Sequence, residues 1–427
     1  MSTEIKVEHI ARIEGHGDVY IRASKDQVED VQMRVLEGAR LFEAFLRGRK
    51  YSEAPGITMR ICGICCTSHL MTSLTAVERA LGIKESEQTR ILRELMCMGE
   101  MIQSNSLHTY FLALPDFLGY PSALAMAGKY PKEVKRALAI KRVGNDINEV
   151  FGGRALHPVN CKIGGFYKLP TRTAIQHLLE KLKSMKNDAV KTVELFSSLD
   201  YGDFERKTQT LSLGDTGRYE FLRGKIISPD GFKIEQNQYI DYLKESVVDY
   251  SNTKLSSLNG SGFMVSALSR LNNNHHYLSD TAKEMLAQVD LTLPSYNPLH
   301  INVAQAFEIL HCVENSIDLI ENLDYRLDNT EYTLKAAEGI AYTEAPRGLL
   351  LHHYKFDEKG ILTFANVITP TAAYLKNLEE DIRAYVPTVL DEPKEKIIFG
   401  VEKLIRAYDP CISCSCHSIK VNVDIVD

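Results

Sequence analysis

Residues 60–69 read RICGICCTSH, a stretch that contains three cysteines and one histidine. Residues 409–417, near the other end of the chain, read DPCISCSCH and contain a similar arrangement. Each stretch holds a Cys-x-x-Cys pair with a histidine after it. Two such pairs provide four thiolates, which can enclose one soft or borderline metal ion. The sequence therefore predicts a single metal site formed by both stretches, with the rest of the chain as the scaffold that brings them together.

A structural zinc site of four cysteines is the simplest interpretation of this spacing alone. The two pairs of a zinc ribbon, however, usually lie about 15 to 20 residues apart. Here Cys65 and Cys411 are separated by most of the 427-residue chain. A site closed over that distance lies at the centre of the fold, so the zinc interpretation is one alternative among several.

The composition is that of an ordinary globular protein, with 44% hydrophobic and 25% charged residues. A net charge of −6 gives no electrostatic support for nucleic-acid binding. No apolar run of about 18 residues occurs, so we expect no transmembrane segment. The first residues lack the apolar core of a signal peptide, and nine cysteines are an odd number. We therefore expect reduced thiols and a cytoplasmic location.

The periodicity of apolar residues predicts a mainly α (α+β) fold with a central bundle of long helices. Short alternating runs over residues 4–36 predict a small N-terminal antiparallel sheet, and residues 37–50 resemble a helix. Long amphipathic segments predict the helices of the bundle: 68–81, 86–112, 132–151, 171–199, 280–289 and 301–323. The prolines and glycines of 115–121 are expected to end the second of these helices.

The remaining segments are predicted to be peripheral or to complete the site. Residues 200–262 are rich in glycine and short β-like runs, which indicates a β-rich insertion. Residues 349–367 predict a β-hairpin, followed by a short helix after Thr369. We interpret the chain as one domain, 1–427, with these parts: 1–50 sheet and helix, 60–199 and 280–323 bundle, 200–262 insertion, 344–417 C-terminal region, and 418–427 extension.

Both cysteine motifs resemble the signature of the nickel–iron hydrogenase large subunit. Supporting motifs are similar as well, and they cover the whole chain: RIEGH at 12–16, Glu43, EAPRG at 344–348, and TPT at 369–371. The closest resemblance is to the cytoplasmic NAD(P)-linked and sulfhydrogenase alpha-subunit group. The resemblance implies the nickel–iron hydrogenase large-subunit fold and the reversible conversion of H2 into protons and electrons.

The resemblance also implies a set of metal ligands. Cys62 and Cys411 are expected as terminal nickel ligands, and Cys65 and Cys414 as bridges between nickel and iron. The iron is expected to carry one carbon monoxide and two cyanide ligands that no protein residue supplies. Soft thiolates suit a redox-active nickel ion, so the chemistry of the donors agrees with this assignment.

A second metal, Mg²⁺ or Fe²⁺, is implied behind this centre. Its expected ligands are Glu43, His417 and the backbone carbonyl of Val367. Hard oxygen ligands of this kind suit magnesium.

Further roles follow from the same resemblance. Glu14 is expected to pass protons to and from a terminal nickel cysteine, which requires a pKa raised towards the working pH. His69 is expected to brace a bridging cysteine through a hydrogen bond.

Arg347 is expected to lie over the diatomic ligands of the iron. Asp409 and Asp116 are expected to pair with this arginine or to orient it. Thr371 and the backbone near Pro370 are expected to hydrogen-bond a cyanide.

Other cysteines and histidines are interpreted as structural. Cys66 and Cys416 adjoin predicted ligands but lie off the motif, and a buried thiol is their usual role. The adjacent pair His352 and His353 is not expected to bind one metal, since neighbouring residues point to different faces of a strand.

The predicted function is that of the catalytic subunit of a nickel–iron hydrogenase, with H2 as its substrate. The chain has no further cysteine clusters for iron–sulfur centres and no Gly-x-Gly-x-x-Gly motif for a dinucleotide. We therefore expect a separate iron–sulfur small subunit and a diaphorase-type flavoprotein module, with NAD(P) or ferredoxin as electron acceptor. The alternatives are a non-catalytic relative of the complex I subunit and a structural four-cysteine zinc protein.

Ten residues, 418–427, follow His417 in this sequence. In many members of the family the chain is cut just after the corresponding histidine, once nickel is inserted. Either these residues form a removable extension, or this member is not processed, and the sequence leaves both possibilities open.

Overall fold

The computed structural model describes residues 3–7, 10–24, 27–327 and 330–416. Helices form most of its regular structure: α1 Phe42–Leu46, α2 Ala54–Thr58, α3 Cys66–Leu81, α4 Glu87–Leu107, α5 Leu114–Leu118, α6 Ala123–Met126, α7 Pro131–Gly152, α8 Arg172–Ser197, α9 Tyr239–Tyr242, α10 Ala267–Asn274, α11 Asp280–Leu286, α12 Ile301–Glu321, α13 Pro370–Tyr385, α14 Lys394–Ala407 and α15 Ile412–Ser415. None of the described helices is long and apolar enough to cross a membrane.

The strands are short and form several small sheets. They are β1 Thr3–Val7, β2 Gly17–Ala23, β3 Val28–Val35, β4 Cys161–Lys162, β5 Gly165–Phe166, β6 Gln209–Thr210, β7 Ser212–Gly214, β8 Lys225–Ile227, β9 Lys233–Ile234, β10 Leu243–Val248, β11 Ser251–Leu258, β12 Phe263–Met264, β13 Ala337–Ala345, β14 Gly348–Phe356 and β15 Leu362–Ile368. The sheets β1-β2-β3, β7-β8-β9 and β13-β14-β15 have three strands each, and neighbouring strands in them are antiparallel. The predicted mixture of a helical core, an N-terminal sheet and peripheral strands is therefore confirmed.

The long helices α4, α7, α8 and α12 pack against one another as the predicted bundle. Gly99 of α4 faces Gly144 of α7, and a Cβ atom on Gly99 would lie 2.9 Å from the carbonyl oxygen of Gly144. The absence of a side chain at both positions lets the two backbones approach closely. The buried helix α3 lies between this bundle and the sheet of β13 and β14, so it links the core to the C-terminal region.

One predicted helix is shorter in the structure, and another extends beyond its predicted last residue, 112. The expected helix over 37–50 is reduced to α1, because Leu41 adopts a left-handed conformation with φ 56° and Gly48 has φ 82°. The second bundle helix ends within 115–121 as expected, at Gly119 rather than at Pro115. A π-helical turn at His108–Ala113 joins α4 to α5, where Pro115 lies in the first turn and needs no N–H, and Gly119 ends the helix.

The C-terminal sheet has one strand more than the sequence predicted. The expected hairpin is present as β14 and β15, and β13 pairs with β14 along its full length, from Ala337 opposite Phe356 to Ala345 opposite Gly348. The turn between β13 and β14 contains Pro346 and Arg347. The helix after Thr369 is not short, because α13 has 16 residues.

Candidate metal centre

The structure brings the four motif cysteines into one cluster. Cys65 immediately precedes α3, Cys62 lies in the turn before it, and Cys411 and Cys414 lie at the start and within α15. All four are at most 3% exposed. Their sulfur atoms lie within 4.8 Å of one another, with 3.5 Å between Cys62 and Cys411, 3.3 Å between Cys65 and Cys414, and 3.0 Å between Cys411 and Cys414.

These separations fit a shared metal centre. They are well above the length of about 2.05 Å of a disulfide bond, and all four cysteines are free thiols. Two sulfurs that each lie about 2.3 Å from one ion are at most about 4.6 Å apart. The donor set is also suitable, since thiolates are the ligands that soft and borderline metals prefer.

The local backbone favours a thiolate at Cys62. Its sulfur accepts the backbone N–H groups of Ile64 at 3.2 Å and Cys65 at 3.3 Å. Hydrogen bonds from the neighbouring thiols, first that of Cys411, lower the pKa of Cys62, and the positive charge of Arg347 acts in the same direction. A deprotonated sulfur is the form that binds a metal.

Arg40 connects the two cysteine stretches, and sequence reasoning did not identify it. Its guanidinium donates to the carbonyl oxygens of Arg60 at 3.1 Å and Ile61 at 2.6 Å in the first stretch. It also reaches the carbonyl of Ser413 in the second stretch, at 3.3 Å, and its backbone N–H donates to the carbonyl of Cys416. Only the tertiary structure reveals this role, because Arg40 lies in a loop and belongs to no recognised sequence motif.

Glu14 lies beside the second cysteine stretch. It forms a parallel β-bridge with Cys411, and its carboxylate accepts the backbone N–H of Ser413 at 3.0 Å and the hydroxyl of the same residue. Burial, with a smaller effect from the Cys411 thiolate, raises the pKa of Glu14 to about 7. This carboxyl group can therefore hold or release a proton near neutral pH.

Arg347 is buried against Asp409. Its Nε donates to the backbone carbonyl of Asp409 at 2.6 Å, and Nη2 donates to Oδ1 of the same residue at 2.9 Å. Within the described part of the chain, Nη1 of Arg347, Oδ2 of Asp409 and Oγ1 of Thr369 are buried without a hydrogen-bond partner. Buried polar atoms normally have partners, so these three atoms fit a site that receives a further polar group.

The expected pairing of Asp116 with Arg347 was wrong. Asp116 instead forms ion pairs with Arg12 and with Arg406, whose Nε lies 2.7 Å from its Oδ2. Arg406 belongs to α14 and Arg12 to the loop after β1, so Asp116 joins these two elements. The sequence match around Asp116 indicated a charged partner, but two arginines other than Arg347 are closer.

His69 lies behind Cys414, at 4.0 Å between Nε2 and Sγ. Its Nδ1 is 3.1 Å from Nε2 of His352, which in turn contacts the hydroxyl of Tyr354. His353 points to the other face of β14, where it contacts Tyr239 and Glu338. The alternation of the strand thus separates the two histidines as expected, but it directs His352 towards the cluster, which sequence reasoning missed.

Thr371 holds the backbone of the second cysteine stretch. Its hydroxyl oxygen accepts the N–H of Cys411 at 3.1 Å and lies 3.2 Å from the hydroxyl of Tyr374. Pro370 is the first residue of α13, where its missing N–H has no consequence. Thr371 therefore positions Cys411, one of the predicted metal ligands.

Glu43 and Val367 also lie together. The carboxylate of Glu43 accepts the backbone N–H of Val367 at 2.9 Å, and its second oxygen is 3.5 Å from the ammonium group of Lys254. Lys254 is shared with Glu245 at 3.4 Å. His417 and the extension 418–427 lie outside the described residues. The described part thus presents a carboxylate next to a backbone segment, with a lysine as a competing cation.

Cys66 is a structural thiol. Its sulfur accepts the backbone N–H of His157 at 3.1 Å, and burial raises its pKa to about 12. It is the first residue of α3 and does not belong to the cluster of four sulfurs.

The sequence matches the protein family described as nickel-dependent hydrogenase over residues 40–136 and 232–417. Sulfhydrogenase 1 subunit alpha of Pyrococcus furiosus is 38% identical over 422 residues, which cover 98% of this chain and 98% of that protein. NAD-reducing hydrogenase HoxS subunit beta of Cupriavidus necator is 28% identical over 469 residues, which cover 98% of this chain and 96% of that protein.

Solved structures agree with the sequence comparison. An NAD+-reducing NiFe hydrogenase in the H2-reduced state superposes with a TM-score of 0.86 at 25% identity, over 97% of this chain and 99% of that one. The Ni-Fe-Se hydrogenase from D. vulgaris Hildenborough shares the fold, with a TM-score of 0.81 at 22% identity over 98% and 100% of the two chains.

The fold and the buried cluster of four cysteines define a metalloprotein whose centre is closed by the two ends of the chain. The chain belongs to the nickel-dependent hydrogenase family. It is the catalytic large subunit of a hydrogenase, an oxidoreductase that acts on H2, and its relatives include the sulfhydrogenase alpha and NAD-reducing enzymes. The non-catalytic and zinc alternatives are not favoured. Both of these relatives are named as subunits of their enzymes.

Proposed function

We propose that Cys62, Cys65, Cys411 and Cys414 hold a nickel–iron centre, with Cys65 and Cys414 as the bridging ligands. The observation that carries this assignment is the cluster of four buried sulfurs within 4.8 Å. The choice of Cys65 and Cys414 as bridges follows from the family resemblance, and the 3.3 Å between their sulfurs is compatible with two ligands that both metals share. When bound, the centre supplies the site at which H2 is converted into protons and electrons.

The direct test is metal analysis of the purified complex together with infrared spectroscopy. We expect nickel and iron near one each per chain, in addition to the iron of the partner's clusters, and bands of iron-bound carbon monoxide and cyanide. Zinc alone, or neither metal, would overturn the assignment. A complex with both metals but without the infrared bands would retain the four thiolate ligands and refute the diatomic ones.

Glu14 is proposed as the group that exchanges protons with the sulfur of Cys411. Its carboxyl is held by Ser413, two residues after Cys411, and burial brings its pKa to about 7. A carboxyl with this pKa accepts a proton and releases it with little bias at neutral pH.

Arg347 is proposed to hold the diatomic ligands, with Asp409 as the residue that orients its guanidinium. Arg347 presents a buried Nη1 that has no partner in the described residues, and Thr369 presents a buried hydroxyl in the same state. Such donors suit cyanide nitrogen, an acceptor that forms charge-assisted hydrogen bonds. We propose Thr369 for this role beside Thr371 and the backbone near Pro370, since the hydroxyl oxygen of Thr371 already accepts the N–H of Cys411.

Glu43, the carbonyl of Val367 and His417 are proposed to hold a second ion, Mg²⁺ or Fe²⁺. The contact between Glu43 and the N–H of Val367 places a hard oxygen donor beside this strand. Magnesium analysis of Glu43→Gln against Lys254→Gln tests the site. We expect the first change to lower the magnesium content and the second, which removes a competing cation, to leave it unchanged or raised.

The partner is proposed to be an iron–sulfur small subunit that passes electrons to a diaphorase-type module and then to NAD(P) or ferredoxin. Support comes from the NAD-reducing hydrogenase among the relatives and from the lack of further cysteine clusters in the described residues. Co-purification of the complex, followed by assays with NADH, NADPH, ferredoxin and a deazaflavin, identifies the acceptor. The cytoplasmic location stays a prediction.

A further inference from the structure

Arg270 of α10 is completely buried and has two carboxylates as partners. Its Nε and Nη2 donate to the two oxygens of Glu308 at 2.6 and 2.8 Å, and its Nη1 donates to Glu344 at 2.9 Å. The side chains of all three residues have an exposed fraction of zero. Buried charges are costly unless they are paired and hydrogen-bonded, so this cluster maintains one defined geometry.

The same guanidinium also holds the backbone that leads into Arg347. Nη1 donates to the carbonyl of Ala345 and Nη2 to that of Pro346, both at 2.9 Å. With three bonds to carboxylates and two to carbonyls, all five N–H donors of Arg270 are used. Arg270 therefore has no donor left for a ligand, which argues for a positioning role and against direct contact with the reacting atoms.

Other elements fix the carboxylates. Glu308 accepts the hydroxyl of Tyr219 at 2.8 Å and the side-chain amide of Asn105 at 2.9 Å. Glu344 accepts the backbone N–H of Leu213 at 2.7 Å. The guanidinium is thus connected, through its two carboxylate partners, to α4, α12 and β7.

Close packing at the residue after Arg347 also fixes the turn. Gly348, immediately after Arg347, has φ 126°, and a Cβ atom there would lie 2.7 Å from the backbone carbon of Val265. Val265 lies two residues before the first residue of α10. The turn that carries Arg347 is therefore enclosed between Arg270 and the segment that starts the same helix.

We propose that Arg270 is a positioning residue, which sets the place of the Arg347 guanidinium against Asp409 and the cysteine cluster through the peptide groups of Ala345 and Pro346. This inference rests on the proposed role of Arg347. Displacement of a positioned group by about 1 Å can reduce a catalytic rate by about 100-fold. A relaxed turn is therefore expected to reduce turnover even though the metal ligands are unchanged.

The test is a double-mutant cycle in the purified complex, with Arg270→Lys, Arg347→Lys and the combined variant. We expect Arg270→Lys to reduce the kcat of H2 oxidation by about 10- to 100-fold and to shift the infrared bands of the cyanide ligands. In the Arg347→Lys background the same change is expected to have little further effect, within about threefold.

Arg93→Lys is the matched control. Arg93 is also buried and paired with a glutamate, at 2.6 and 2.7 Å to Glu78, which lies about 20 Å along α3 from Cys65. We expect both lysine variants to lower the thermal unfolding temperature, and only Arg270→Lys to shift the infrared bands. If Arg270→Lys does not fold, Tyr219→Phe removes one hydrogen bond from Glu308 and is expected to shift the bands less, in the same direction.

The outcomes separate this inference from the function on which it rests. Wild-type turnover in Arg347→Lys would refute the role of Arg347 itself, and the positioning role with it. If Arg347→Lys reduces turnover but the losses of the two single variants multiply in the double variant, only the role of Arg270 is refuted. Unchanged infrared bands in Arg270→Lys and Tyr219→Phe would refute it as well.

Discussion

The two cysteine stretches reach one cluster by different means. Cys65 stands at the start of α3, a helix of 16 residues that is buried almost throughout. Glu100, from the neighbouring α4, accepts the backbone N–H groups of Thr67 at 2.7 Å and Ser68 at 2.9 Å, which satisfies the first turn of this helix. The first pair of ligands is thus presented by a long, well-packed element.

The second stretch has no comparable element. Its helix α15 has four residues, too few for a helix to be stable by itself. Contacts from distant parts of the chain hold it: the bridge from Glu14, the guanidinium of Arg40 and the hydroxyl of Thr371. The comparison teaches that one half of the site stands on a long helix, whereas the other half is held mainly by side chains and backbone from distant segments.

The largest effect is expected at a ligand of the second stretch. Changes to residues that only support a metal ligand reduce activity by about 10- to 100-fold. Cys411→Ser removes a ligand, so it should reduce H2 uptake with benzyl viologen by more than about 100-fold and should lower the nickel content. Cys66→Ser makes the same chemical change at the start of α3, outside the cluster, and should retain most of both. Retained uptake in Cys411→Ser would refute its assignment as a ligand.

Glu14 tests whether its contact with the second stretch is structural or chemical. Glu14→Gln keeps one acceptor oxygen for the N–H of Ser413 but cannot exchange a proton, so uptake should fall by about 100-fold or more with nickel content unchanged. Glu37→Gln, in a residue that contacts His16 in the same region, should remain near wild type. Loss of nickel in Glu14→Gln would show a structural role instead.

Glu100, which accepts the backbone N–H groups at the start of α3, should make the unfolding free energy depend on pH. Burial raises the pKa of Glu100 from 4.5 to about 7. The carboxyl therefore ionises more readily in the unfolded chain, and the folded chain loses stability as pH rises from about 4.5 to 7. Relative to Glu100→Gln, the wild type should lose about 3 kcal/mol of unfolding free energy over this window. Urea unfolding at several pH values measures the difference, and parallel curves for the two proteins would contradict it.

The smallest effect is expected from a single support of the second stretch. Thr371→Val leaves the N–H of Cys411 without its acceptor, which should cost about 1–2 kcal/mol of stability and hasten nickel loss to a chelator. Thr371→Ser should restore both properties. Thr67→Val, in the first stretch, should leave nickel retention unchanged. Equal nickel loss from Thr371→Val and Thr67→Val would contradict the view that the second cysteine stretch depends more on single supporting contacts than the first.

The family, the helical core and the candidate ligands could be predicted because they depend on short-range patterns. The spacing of Cys62 and Cys65 recurs at Cys411 and Cys414, and apolar periodicity predicted the long helices. The exceptions have local causes. The positive φ of Leu41 shortened one helix, and the π-helical turn before Pro115 carried another past a proline, neither of which a periodic pattern contains.

The sequence by itself determined which side chains can bind the metals, since ligand chemistry resides in residue type and spacing. Only the tertiary structure decided which residues hold them in place. Arg40 and His352 contact the cysteine stretches or their neighbours, and Arg270 is the proposed positioning residue, yet each stands in an ordinary sequence context. Asp116 matched a motif but pairs with Arg12 and Arg406. Charged side chains select partners by proximity in the folded chain, and that proximity depends on packing between elements far apart in sequence.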